Sequence, residues 1–66
     1  MSVAKIIEIS SESNKSFEDA VLQGIAQANK SVRNVRGAWI SDQKVVVEGG
    51  RPVAFRVDMK VSFVLE

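Results

Sequence analysis

The chain has 66 residues, 45% of them apolar and 26% charged, with a net charge of +1 and neither Cys nor His. These values allow one folded domain, residues 1–66. They exclude disulfides and Cys/His zinc sites, and the interspersed charges give no basic field for nucleic acid. No stretch approaches the roughly 18 apolar residues of a membrane helix, and the first residues lack a signal-peptide pattern, so no membrane partner and a cytoplasmic location are the expectations.

Val3 to Ile9 predicts a first strand, rich in β-branched residues. Ile6 and Ile7 point to opposite faces, so this strand is buried on both sides or buries one side in a partner chain. Ser10, Ser11, Glu12, Ser13, Asn14 and Lys15 read as a polar loop. With no Gly and no Lys-Ser/Thr pair, it is a connector and not a phosphate cradle.

Ser16 predicts a helix N-cap, with Glu18 and Asp19 in the positive first turn. Phe17, Ala20, Val21, Gly24, Ile25, Ala28 and Val32 form an apolar stripe at helical spacing, widened by Leu22. Gly24 on that stripe predicts close helix–sheet approach. Lys30 and Arg33 suit the negative helix end, and Asn34 suits a left-handed cap, so the helix runs from Ser16 to about Val32.

Val35 to Glu48 predicts a second strand whose blurred alternation allows a bulge. Gly49-Gly50, followed by Arg51-Pro52, is the turn, with Pro52 confined to a strand start or edge. From Val53 to Leu65 the odd residues are all apolar, the two-residue period of a strand with one dry face. That strand would run roughly 40 Å.

The element order is strand, helix, strand, strand. A hairpin joins strands two and three, and a right-handed crossover sets strand one beside strand three, antiparallel, in the order 1-3-2. The fold class is α+β, a β-α-β-β unit with a three-stranded antiparallel sheet wrapped on one helix. A helix of roughly 25 Å cannot cover such a sheet. The leftover apolar surface predicts tight self-association, the one staple open to so small a domain.

A two-residue turn pairing Glu48 with Arg51 sets Trp39 opposite Lys60, Ser41 opposite Asp58 and Gln43 opposite Arg56; a bulge would reverse this. Trp39 then lies on the polar face, away from the helix. It packs into a subunit interface, stacks a flat aromatic ligand with Arg56 and Gln43 as hydrogen-bond donors, or is partly buried in the ordinary way. Asp58 between Arg56 and Lys60 reads as a charge bridge between subunits. Arg56 and Lys60 either attract a phosphate or form interface salt bridges. The acids sit at helix-start, loop and strand-surface positions, and catalysis is not expected.

Lys5-Ile6-Ile7-Glu8-Ile9, Ser16-Phe17-Glu18-Asp19-Ala20, Val32-Arg33-Asn34-Val35-Arg36-Gly37 and Phe55-Arg56-Val57-Asp58-Met59-Lys60-Val61-Ser62-Phe63 stand in the order and spacing of the dodecins, which the chain resembles end to end. The resemblance implies a hollow homododecamer. Flavin-type members stack isoalloxazine rings between paired Trp side chains and act as flavin stores or buffers. By that resemblance the cofactor is a flavin (riboflavin, FMN or FAD), with Trp39, Arg56 and Gln43 as the binding residues. Flavin binders of the family carry Trp where this chain has Gly37 and Gln where it has Arg56. Trp39 keeps the face but moves the ring about 7 Å along the strand, and Arg56 offers donors only. The alternative is a dodecin-like shell without flavin, structural or binding another small ligand or metal ion. Calcium-binding members exist in the family, although Asp42, Glu48 and Asp58 are not spaced as a calcium loop.

Overall fold

The computed structural model describes residues 3–65; Met1, Ser2 and the acidic Glu66 lie outside them. Its elements are β1 (Val3–Ser13), α1 (Phe17–Ser31), β2 (Val35–Glu48) and β3 (Arg51–Leu65). They form one antiparallel sheet in the order β1-β3-β2. β1 pairs with β3 without interruption from Val3–Leu65 to Ser13–Phe55.

The polar segment after Ile9 is therefore strand, not loop. Ser10 to Ser13 pair with Asp58 to Phe55, because long β3 supplies ladder partners that outweigh weak local strand propensity. Buried Ser13 is satisfied in place: its Oγ donates to Asp19 Oδ2 at 2.6 Å and accepts from the Lys15 N–H at 2.9 Å.

The same Asp19 sits in the first turn of α1. Its N–H donates to Oγ of the N-cap Ser16 at 2.9 Å, and Gln23 Nε2 donates to its carboxylate. The bond from Ser13, with that from Gln23, holds the Asp19 carboxyl below its usual value. At the other end Val32 N–H closes on the Ala28 carbonyl at 3.0 Å. Asn34 then takes φ +62° and turns the chain into β2, as its cap role requires. Its carbonyl accepts from Val64 N–H at 3.1 Å, which ties the helix exit to β3.

The core is the dry face of β3 under the helix. Val57, Met59 and Val61 are fully buried against Ala20 and Ala28, flanked by Ile7, Ile9, Phe17, Val21 and Val35. Phe17 and Phe55 meet edge to face, 5.2 Å between centroids, and anchor the start of α1. Gly24 lets the helix settle: a Cβ there would stand 2.6 Å from Met59 Cε and 3.0 Å from Ser11 Cβ. Leu22 does not widen the buried stripe; it faces solvent.

The helix packs chiefly on β1 and β3. Ile40 and Val45 pair with buried Met59 and half-buried Phe55, yet both are exposed, because the helix reaches β2 only weakly, Val35 being its residue packed on the core. The chain measures 51 × 19 × 13 Å, with a radius of gyration of 13.5 Å; a compact chain of this length has about 11 Å. Among the described residues no helix is long and apolar enough to cross a membrane.

Candidate ligand-stacking face

The even residues of β3 carry the face opposite the helix, and three-residue rows cross it. One row is Glu8–Lys60–Trp39, the next Ser10–Asp58–Asp42, and the third Glu12–Arg56–Lys44. Beyond Trp39, away from the turn, lies the row Ile6–Ser62–Gly37.

Three irregularities in the β2–β3 register decide which residues reach this face. Glu48 pairs with Arg51 and Trp39 with Lys60, as a two-residue turn demands. Between them the register is offset by one. β3 carries an extra residue, Val53, where Val46–Ala54 meets Val47–Pro52; β2 carries an extra residue, Ser41, between Ile40 and Asp42. The bulges lie on opposite strands and cancel at Trp39 but not within the interval. Asp42, not Ser41, therefore faces Asp58, and Gln43 pairs with Val57, not with Arg56. By strand alternation this puts Gln43 on the helix side. Its residue still borders a small polar hollow of about 90 Å³ with Asp42, Lys44, Arg56 and Asp58. Ser41 Oγ donates to the Asp58 carbonyl at 3.0 Å and fastens the bulge.

The three residues expected to share a ligand are thus not gathered in one chain. Trp39 is 56% exposed on the open face. Arg56 is on the same face but four residues from Lys60 along β3, about 13 Å away. Both its Nε and Nη2 donate to Glu12 Oε1, at 2.9 and 2.8 Å. Glu12 escaped notice because its segment read as loop; the signal that finds it is the unbroken antiparallel register with β3, which sets Glu12 opposite Arg56. The pair is nearly half exposed on both sides, so it orients Arg56 more than it stabilises the fold.

Beside Trp39 the surface is open. A Cβ built on Gly37 would meet only Ser62 Oγ, at 3.5 Å. That hydroxyl donates to the Gly37 carbonyl at 3.3 Å. A flat ring stacked on Trp39 fits such a floor. What the face can do chemically is bind: stacking from Trp39, charge from Lys60 and Arg56, and hydrogen bonding from Ser62.

The Dodecin family model matches residues 3–66. The chain belongs to the dodecin family. The calcium dodecin of Mycobacterium tuberculosis is 33% identical over 63 residues, covering 96% of this chain and 89% of that protein. Its crystal structure, described with a calcium-binding site, superposes at a TM-score of 0.83 with 30% identity, covering 97% and 91% of the two chains. The dodecin from Streptomyces davaonensis superposes at 0.93 with 22% identity over 98% and 96%. A variant of the Thermus thermophilus dodecin also reaches 0.93, with 23% identity over 100% and 98%. The β-α-β-β subunit and its 1-3-2 sheet are those of a dodecin.

Proposed function

We propose that this dodecin is a non-catalytic flavin store: a hollow homododecamer in which riboflavin, FMN or FAD stacks on Trp39. The observation that carries this reading is the exposed Trp39 beside the empty floor at Gly37. Indole presents a large rigid stacking surface, and isoalloxazine is a flat aromatic that can stack on it. In this reading Arg56 and Gln43 serve the ligand from a neighbouring copy, since neither stands beside Trp39 in its own chain.

Self-association is supported by the subunit's surface. It exposes 4895 Å², against about 4100 Å² for a monomer of its mass. Ile40, Val45 and Val47 on one side of β2, with Trp39 on the other, are part of that excess. A second copy of the chain is the occupant the family suggests.

The test is riboflavin fluorescence titrated with the purified assembly, alongside Trp39→Ala. Saturable quenching by the wild type, its loss in Trp39→Ala and an unchanged assembly mass support the reading. If Trp39→Ala falls apart, the ring is an interface residue and not a platform.

A second reading is a calcium-binding shell. It rests on the kinship with the calcium dodecin and on Asp42 facing Asp58 across the strands. Among the described residues no three carboxylates of one chain gather to hold a metal, so a site for six to eight oxygens would need several copies. Saturable calcium binding abolished by Asp58→Asn, with riboflavin unquenched by the wild type, would favour it.

A further inference from the structure

We propose that Lys60 sets the ligand class of the Trp39 platform: a flat aromatic bearing an anionic group, its ring over Gly37 and its anion at the Lys60 ammonium. The inference rests on the stacking reading above and goes beyond it by choosing among ligands.

Three observations on Lys60 carry it. Lys60 is the direct cross-strand partner of Trp39, so cation and ring share one row. Such neighbours have Cβ atoms roughly 5 Å apart, within reach of one ligand. Lys60 is exposed, and among the described residues the one ion pair is Arg56–Glu12; Lys60 forms none, although Glu8 stands opposite. An exposed Glu8 across the strand couples weakly and leaves the ammonium available.

The neighbouring rows fix the direction. Toward the turn, Asp58 faces Asp42, and two carboxylates repel an anionic ligand from that side. Away from the turn, the Ile6–Ser62–Gly37 row carries no charge and, at Gly37, no side chain. Arg36, left unpaired by the bulge between Val35 and Gly37, adds an exposed cation at that end. A ring leaning from Trp39 toward Gly37 thus avoids the carboxylates and keeps its anionic group beside Lys60.

Arg56 is the competing cation, but it stands two rows away and is engaged by Glu12. In a single chain Lys60, not Arg56, reads the ligand's charge.

The experiment uses the single Trp as its own reporter. Quenching of Trp39 is titrated with riboflavin and with FMN, which share the ring and differ by a phosphate of about −1.5 to −2 charge. The assembly is taken as purified, at low salt and then at high salt. The expected result is a preference for FMN of about five- to tenfold at low salt, falling toward parity when salt screens it. Lys60→Gln should remove the preference, so that FMN and riboflavin bind with equal affinity. Gly37→Val adds bulk into open space at an ordinary φ; it should weaken both ligands with the assembly mass intact. An FMN preference that survives Lys60→Gln overturns the role of Lys60, and undiminished binding by Gly37→Val overturns the ring's seat. Absence of quenching by either flavin in the wild type overturns the stacking reading itself, and this inference with it.

Discussion

Gly24→Ala should destabilise the protein, although alanine is the better helix former by about 1 kcal/mol. The new Cβ would stand 2.6 Å from Met59 Cε and 3.0 Å from Ser11 Cβ. Met59 has no exposed surface into which its methyl can retreat, and the Ser11 Cβ is fixed to a strand backbone. Overpacking of this kind costs about 1–3 kcal/mol, so the net loss is about 1 kcal/mol. For a domain this small that is a fall in Tm of about 4–8 °C. The assay is thermal unfolding at one chain concentration, since an assembly's Tm depends on concentration. Met59→Leu withdraws the crowding methyl and by itself costs less than about 1.5 kcal/mol. In the double variant the alanine should be tolerated, with a favourable coupling of about 1 kcal/mol. A Gly24→Ala protein more stable than wild type would refute the reasoning, because it would mean that helix and sheet have slack.

Asn34 holds φ +62° at the helix exit. Asn34→Val should cost about 1–2 kcal/mol, while Asn34→Gly should be close to neutral; equal urea midpoints for the two would contradict this. Asp19 has a lowered pKa, caused chiefly by the Ser13 hydrogen bond. Because the folded value is the lower one, its contribution is present above the unfolded carboxylate pKa and is lost as pH falls through the folded pKa. Acid titration of stability should therefore steepen below the usual carboxylate range in wild type and flatten in Asp19→Asn; superimposable curves would remove Asp19 from that role.

Where one physical rule governed a stretch, the structure was legible in the residues. Odd-position apolar residues give the buried face of β3 from Val57 to Phe63, while Val53 and Leu65 at the ends of the run are exposed. Ser16 and Asn34 marked the ends of α1 through hydrogen-bonding and left-handed backbone needs that few other residues meet. Legibility failed where a neighbour overrode the local pattern. Ser10 to Ser13 look like loop until β3 offers them a ladder. Gln43 was expected beside Arg56 because parity was counted from the turn. Two bulges on opposite strands hid the intervening shift, since they cancel at Trp39. Bulges depend on how both strands twist together; the blurred alternation of Val35 to Glu48 allows one in β2, but nothing in either segment alone fixes its place. Trp39 opposite Lys60 is legible from the turn, but the Glu12–Arg56 pair and the place of Glu8 in that row are products of tertiary pairing.

The most direct test of the account is native mass spectrometry of the assembled protein with riboflavin, read together with its fluorescence. The account predicts an intact homododecamer that retains flavin saturably and quenches it, and loses both properties but not its mass in Trp39→Ala. An intact dodecamer that retains no flavin and leaves its fluorescence unchanged would contradict the claim that Trp39 is a stacking platform.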